Sequence, residues 1–148
     1  MLKLSTKARY GLRAMIELAL REGEGPVQLG EIAAAQRISP KYLEQLFIPL
    51  RSAGLIRSER GPKGGYTLAR PPDQITALDA VRAVEGPLDL IDCIGPSHSC
   101  EHAARCVARM LWSDASAAIS SVLGRTTLQD LANQQRDMDR STALSYDI

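Results

Sequence analysis

No run of 18 or more apolar residues occurs in the chain, so no segment reads as a membrane-spanning helix. The opening MLKLSTKARYGL lacks the apolar core and small-residue cleavage site of a secretory signal, and a cytoplasmic location is the expectation. A large excess of one charge is also missing, since the net formal charge is +1. Nothing resembles a nucleophile paired with a general base, which argues against an enzyme of the covalent-catalysis type. The cysteines lack the C-x2-C knuckle of common structural zinc sites.

What is present fits an ordinary folded chain. Its 148 residues suffice for one compact unit with an added helix, and 45% hydrophobic with 24% charged residues is near the globular average. The charge is unevenly spread: residues 1–86 carry a net +4 and residues 87–148 a net −3. A basic nucleic-acid-facing half followed by an acidic half would produce that asymmetry.

Local signals then divide the chain. Ser5 and Thr6 can cap a helix with Ala8, Leu12, Met15, Ile16, Ala19 and Leu20 at helical spacing, stopped near Gly23 and Gly25. A short second helix follows from Leu29 to about Arg37. Ser39-Pro40 combines a cap with proline at the first helical position, where its missing N–H leaves no bond unmade. In the third helix Leu43, Leu46, Phe47 and Leu50 form the buried stripe, leaving Lys41, Tyr42, Glu44 and Gln45 outward. Pro49 is expected to bend this helix beyond those outward residues, and Gly54 to end it.

Two short strands, Leu55 to Glu59 and Tyr66 to Ala69, flank the turn Arg60-Gly61-Pro62-Lys63-Gly64-Gly65. Three helices followed by a basic-tipped hairpin make a winged helix-turn-helix, in which the third helix enters the major groove and the hairpin lies beside it. The expected fold is therefore mainly α with a small β-hairpin wing and a long dimerisation helix. The DNA-facing set is Ser39, Lys41, Tyr42, Glu44, Gln45, Arg60, Pro62, Lys63 and Gly64. Arg60 and Lys63 offer cations to phosphates, with Lys3, Lys7 and Arg9 adding to them. Gln45 can bond adenine, Lys41 guanine or phosphate, and Glu44 a cytosine amino group. An acid in a phosphate-lined groove is repelled unless it reads a base, so Glu44 is expected to govern sequence choice. A solvated helix face and an ordinary surface turn are the plainer readings of the same residues.

Beyond the hairpin, Thr76 to Asp79 opens a helix that stops at Gly86-Pro87. Cys93, Cys100 and Cys106 then fall within 14 residues, spaced C-x6-C-x5-C. A reducing cytosol disfavours disulfides, so thiolate ligation of an iron–sulfur cluster is the first reading. Zinc held with His98 or His102, and reactive or inert thiols, are the alternatives. A long helix follows to Leu123, where Leu111, Ala115, Ala118 and Val122 form a seam suited to a second copy. Thr127 and Asp130 open a short helix to Asn133, and the polar stretch 134–148 is expected to be disordered. The resulting division is a DNA-binding domain at 1–86, a cysteine-bearing loop at 87–106, dimerisation and short C-terminal helices at 107–133, and the tail.

Lys7-Ala8-Arg9-Tyr10-Gly11-Leu12, Tyr42-Leu43-Glu44-Gln45-Leu46, Arg60-Gly61-Pro62-Lys63-Gly64-Gly65-Tyr66, the three cysteines and Leu111-Trp112 together resemble the IscR-type winged-helix regulators of bacteria, a family that includes NsrR and CymR. The resemblance extends to about Asn133. It implies a homodimer on double-stranded promoter DNA, controlling iron–sulfur assembly, cysteine or nitrosative-stress genes according to subtype, CymR being a repressor. It also implies a cluster on Cys93, Cys100 and Cys106, with 2Fe-2S preferred to 4Fe-4S. The IscR branch carries a histidine three residues after the last cysteine, where this chain has Arg109. The NsrR branch takes an aspartate from the partner's first helix, and Lys7-Ala8-Arg9 offers no carboxylate. His98, His102, Glu101 and Asp92 are the nearby substitutes. CymR members can lack the cysteine cluster, so a cluster-free regulator of cysteine metabolism is the rival, and a zinc-stabilised regulator another.

Overall fold

Residues 3–94 and 100–146 are described by a computed structural model. Helix α1 (Thr6–Leu20) starts where the Ser5 hydroxyl accepts the backbone N–H of Lys7, and it turns Ala8, Ala14, Met15, Leu18 and Ala19 inward. Helix α2 (Leu29–Gln36) adds Ile32 and Ala33 to the same core. Helix α3 (Pro40–Ser52) begins as its sequence requires, with Ser39 Oγ accepting the N–H of Tyr42 at 3.1 Å and proline in the first turn. Its stripe Leu43, Leu46, Phe47 and Leu50 is buried, and the helix continues through Pro49 to Ser52.

Strands β1 (Ile56–Glu59) and β2 (Gly65–Leu68) pair antiparallel, with Ile56 opposite Leu68 and Glu59 opposite Gly65. A further backbone segment joins the hairpin: Val27 donates to the Tyr66 carbonyl at 2.9 Å, and Tyr66 donates to the Val27 carbonyl at 2.8 Å. Gly65 makes that approach sterically feasible, because a Cβ there would stand 2.4 Å from the Val27 oxygen. The Tyr66 ring meets Phe47 edge-on, 4.7 Å between centroids, which fixes the wing against α3.

Helix α4 (Ala77–Glu85) opens with a reciprocal capping box. Asp79 donates its N–H to Thr76 Oγ1 at 3.1 Å, and Thr76 donates its N–H to Asp79 Oδ2 at 3.0 Å. Ala77, Ala80 and Val81 are buried, and Val84 lies against the face of α1 at Gly11. The expected stop at Gly86 is observed. After the connecting segment come α5 (Val107–Gly124) and α6 (Leu128–Tyr146).

The starts of α4 and α6 are tied together, since Ala77 donates to the Thr126 carbonyl and Leu128 to that of Ile75, both at 2.8 Å. Leu128 and Ala132 are fully buried in the core shared with α1 and α3. A short helix ending at Asn133 and a disordered tail over 134–148 were the expectation, and the helix instead runs on to Tyr146. Neither glycine nor proline follows Gly124, and polar side chains pair along the helix: Gln129 with Asn133, Gln135 with Asp139, and Arg140 with Asp137. Arg136 Nη2 donates to the Leu20 carbonyl at 3.3 Å, which holds this helix to the end of α1. Among the described residues no helix is long and apolar enough to cross a membrane.

Candidate nucleic-acid interface and cysteine loop

Helical spacing places Lys41, Glu44, Gln45 and Ile48 on one side of α3, and all four are exposed. Ile48 was not among the residues singled out from the sequence, although it sits three and four positions beyond Gln45 and Glu44. At 57% exposure it is an apolar group on an otherwise polar helix face, a kind of surface able to meet a thymine methyl. Ser39 is exposed at the start of the helix.

Tyr42 is placed differently from the outward position expected of it. It is half-buried, and its ring stands edge-on to Tyr10 of α1 with centroids 6.2 Å apart. The Arg13 and Arg9 guanidinium carbons lie 5.5 and 5.9 Å from the Tyr10 centroid. Two α1 cations and two aromatic rings thus stand together beside α3. The place of Arg13 is not legible in the sequence, because only the fold brings its ring partner Tyr10 next to Tyr42 of α3.

At the wing tip the N–H of Gly64 donates to the Gly61 carbonyl at 3.0 Å, so Gly61-Pro62-Lys63-Gly64 is a β-turn with proline at its second position. Pro62 and Lys63 are thereby presented to solvent, with Arg60 also exposed just before the turn. Gly64 is partly covered, and a Cβ on it would stand 2.2 Å from the Glu59 carbonyl oxygen. At the other end of the wing, Arg51 Nη1 donates to Ser58 Oγ at 3.1 Å, linking the end of α3 to β1.

The cysteines lie on the connection between α4 and α5. All three are free thiols of intermediate exposure. Cys106 is the N-cap of α5, its sulfur accepting the N–H of Arg109 at 3.4 Å. The Arg109 side chain turns back, and its Nε donates to the Cys93 carbonyl at 3.0 Å. Leu90 donates its N–H to Ser116 Oγ at 3.1 Å, so the segment leading to Cys93 runs along α5. Three thiols on one loop are the right donor chemistry for an iron–sulfur cluster. Among the described residues, however, no group of three His, Cys, Asp or Glu side chains is gathered closely enough to hold a metal ion. Asp92, Glu101 and His102 are exposed, and His98 lies outside the described residues. Arg109 has donors and no free lone pair, so it cannot act as the fourth ligand.

Helix α5 buries only Ser116 against its own chain. Val107, Met110, Leu111, Trp112, Ile119 and Val122 are all exposed, Val107 by 79% and Leu111 by 60%. Burial of this helix on its own domain, the plainer alternative to a dimer seam, is not what the fold shows.

Comparison with known proteins places these features in a family. Residues 4–134 match the Rrf2 profile, described as an iron-dependent transcriptional regulator. The HTH-type transcriptional regulator CymR of Bacillus subtilis is 46% identical over 132 residues, covering 89% of this chain and 91% of the relative. The HTH-type transcriptional regulator IscR of Aliivibrio salmonicida is 45% identical over 130 residues, covering 88% and 77%. Among solved structures, that of CymR, the global cysteine regulator of B. subtilis, superposes with a TM-score of 0.76 at 48% identity over 90% of this chain and 98% of that one. An IscR from T. potens gives 0.75 at 41% identity, covering 90% and 88%. These relatives are transcriptional regulators rather than enzymes, and the chain belongs to the Rrf2 family of winged-helix transcriptional regulators.

Proposed function

We propose that this protein is a cytoplasmic homodimer that binds promoter DNA and whose operator affinity is set by an iron–sulfur cluster on Cys93, Cys100 and Cys106. The observation that carries the reading is the position of three free, partly exposed thiols on the one connection between the DNA-reading unit and α5. A bound cluster supplies a redox- and ligand-sensitive centre at that connection. The chain's own part is to supply three thiolates, with the backbone N–H of Arg109 orienting the Cys106 sulfur. A fourth donor would come from Asp92, Glu101, His98 or His102, or from outside the chain.

Lys41, Glu44, Gln45 and Ile48 would read base edges in the major groove, and Arg60 and Lys63 would neutralise phosphates beside it. Ser39 and Tyr42 fix the start of α3, and Pro62 and Gly64 shape the wing turn. One reading helix covers half an operator, so the exposed apolar side of α5 is assigned to a second copy that brings the other half-site reader. Gain or loss of the cluster at Cys93, Cys100 and Cys106 would shift α5 and with it the spacing of the two readers.

A second reading has specific support. At 46% identity the B. subtilis CymR is as similar as the A. salmonicida IscR at 45%, and the described side chains do not gather as a metal site. In that reading the protein represses without a cluster. Iron, acid-labile sulfide and zinc analysis after oxygen-free purification separates the readings. Iron and sulfide in equal amount support the cluster, zinc alone supports a structural metal, and metal-free protein with intact DNA binding supports the cluster-free repressor.

A further inference from the structure

Arg37 closes α2 and begins the turn into α3. Its backbone is left-handed, φ 55° and ψ 43°, and it is the one non-glycine residue at positive φ among the described residues. The cause is local. Arg37 donates its N–H to the Ala34 carbonyl at 3.2 Å, and Ile38 donates to the Ala33 carbonyl at 3.0 Å while packing against the core. Two carbonyls that the end of α2 would leave open are thereby satisfied, and only a left-handed residue at 37 permits both.

Glycine adopts this conformation freely and asparagine tolerates it, whereas an arginine Cβ is forced towards the neighbouring carbonyl. Nothing in the packing calls for an arginine there. The residue is exposed, and its guanidinium takes part in no ion pair among the described residues. A strained backbone kept with an unused cation points to a ligand outside the chain. Two residues further on, Ser39 caps the helix whose exposed side carries Lys41, Glu44 and Gln45.

We infer that Arg37 is a phosphate anchor, gripping the DNA backbone at the shoulder of α3 while that helix enters the major groove. The inference rests on the DNA-binding reading above. A phosphate contact adds affinity on every sequence and does not select among them, which distinguishes Arg37 from Glu44 and Gln45.

Full-length wild type, Arg37→Gly and Arg37→Lys are compared by fluorescence anisotropy on two duplexes, one enriched from a randomised library by the wild-type protein and one scrambled. Arg37→Gly is expected to melt at or above the wild-type temperature, because glycine relieves the left-handed strain. Its slope of log affinity against log salt should fall by about 1.8 on both duplexes, one phosphate contact being lost from each copy of the dimer, so that the wild-type advantage shrinks about 12-fold between 50 and 200 mM salt. Arg37→Lys should keep the wild-type slope. An unchanged slope in Arg37→Gly, with the wild type still binding, overturns the phosphate contact and leaves the DNA-binding reading standing. A variant melting well below wild type overturns the claim that the backbone is strained. Wild-type protein with no salt-dependent affinity for either duplex overturns both.

Discussion

Arg109 Nε donates to the carbonyl oxygen of Cys93 at 3.0 Å, closing the two ends of the cysteine loop onto the first turn of α5. The backbone N–H of the same residue reaches Cys106 Sγ. One residue therefore holds both ends, by groups that mutation can separate. In Arg109→Ala the side-chain bond is lost and the backbone bond is kept. Alkylation of apo-protein followed by mass spectrometry should show Cys93 reacting about 2- to 12-fold faster, the range that a net hydrogen bond of about 0.5–1.5 kcal/mol represents. Cys106 should react at its original rate. Equal acceleration at both would mean that the whole segment had loosened.

The α5 surface gives a prediction about assembly. Leu111 and Trp112 are exposed in the single chain, on the side assigned to the partner. Leu111→Glu should convert a dimer to a monomer in light scattering while leaving the helical circular-dichroism signal intact, since α5 buries little of itself on its own chain. A dimer persisting in this variant would place the interface elsewhere.

Thr76 tests how firmly α4 is set. Replacing it by alanine removes the hydroxyl that accepts the Asp79 N–H. Urea denaturation should show a loss of about 1 kcal/mol, the usual worth of a side-chain cap. No loss would mean that the pairing of Ala77 with Thr126 and of Leu128 with Ile75 is enough to fix the helix start.

Gly65 tests the wing. A methyl group there would stand 2.4 Å from the Val27 carbonyl oxygen, a backbone atom that cannot swing aside, at a φ of +151°. Gly65→Ala is expected to destabilise the chain by about 1–3 kcal/mol, and to weaken binding to all duplexes by displacing Lys63. Unchanged stability and affinity would show that the Val27 to Tyr66 pairing is dispensable.

Much of this architecture could be read from neighbouring residues. Ser39-Pro40, the Leu43 to Leu50 stripe, the Gly61 to Gly64 turn and the Thr76 to Asp79 box each depend on groups a few positions apart, and local chemistry decides them. Long-range contacts left no comparable trace. Tyr42 falls on the outer arc of α3 by spacing, yet Tyr10 arrives from α1, stands edge-on to it and leaves it half-buried. Val27 bonds to Tyr66 across a sequence gap that no motif spans. The far part of α6 is polar enough to read as a tail, but its side chains pair along the helix and Arg136 fastens it to Leu20. The cysteine spacing announced a sulfur-donor loop, while the clasp by Arg109 needed the fold to bring residue 109 back to residue 93.

The central claim is that the three thiols govern DNA binding. It is tested most directly by measuring, without oxygen, the affinity of one enriched duplex for reconstituted wild type, cluster-stripped wild type and Cys100→Ala. The account predicts coloured wild-type protein whose affinity changes by about tenfold or more on stripping, a shift of about 1.4 kcal/mol, with Cys100→Ala colourless and behaving as the stripped form. Equal affinity in all three, from protein that takes up no iron on reconstitution, would contradict it.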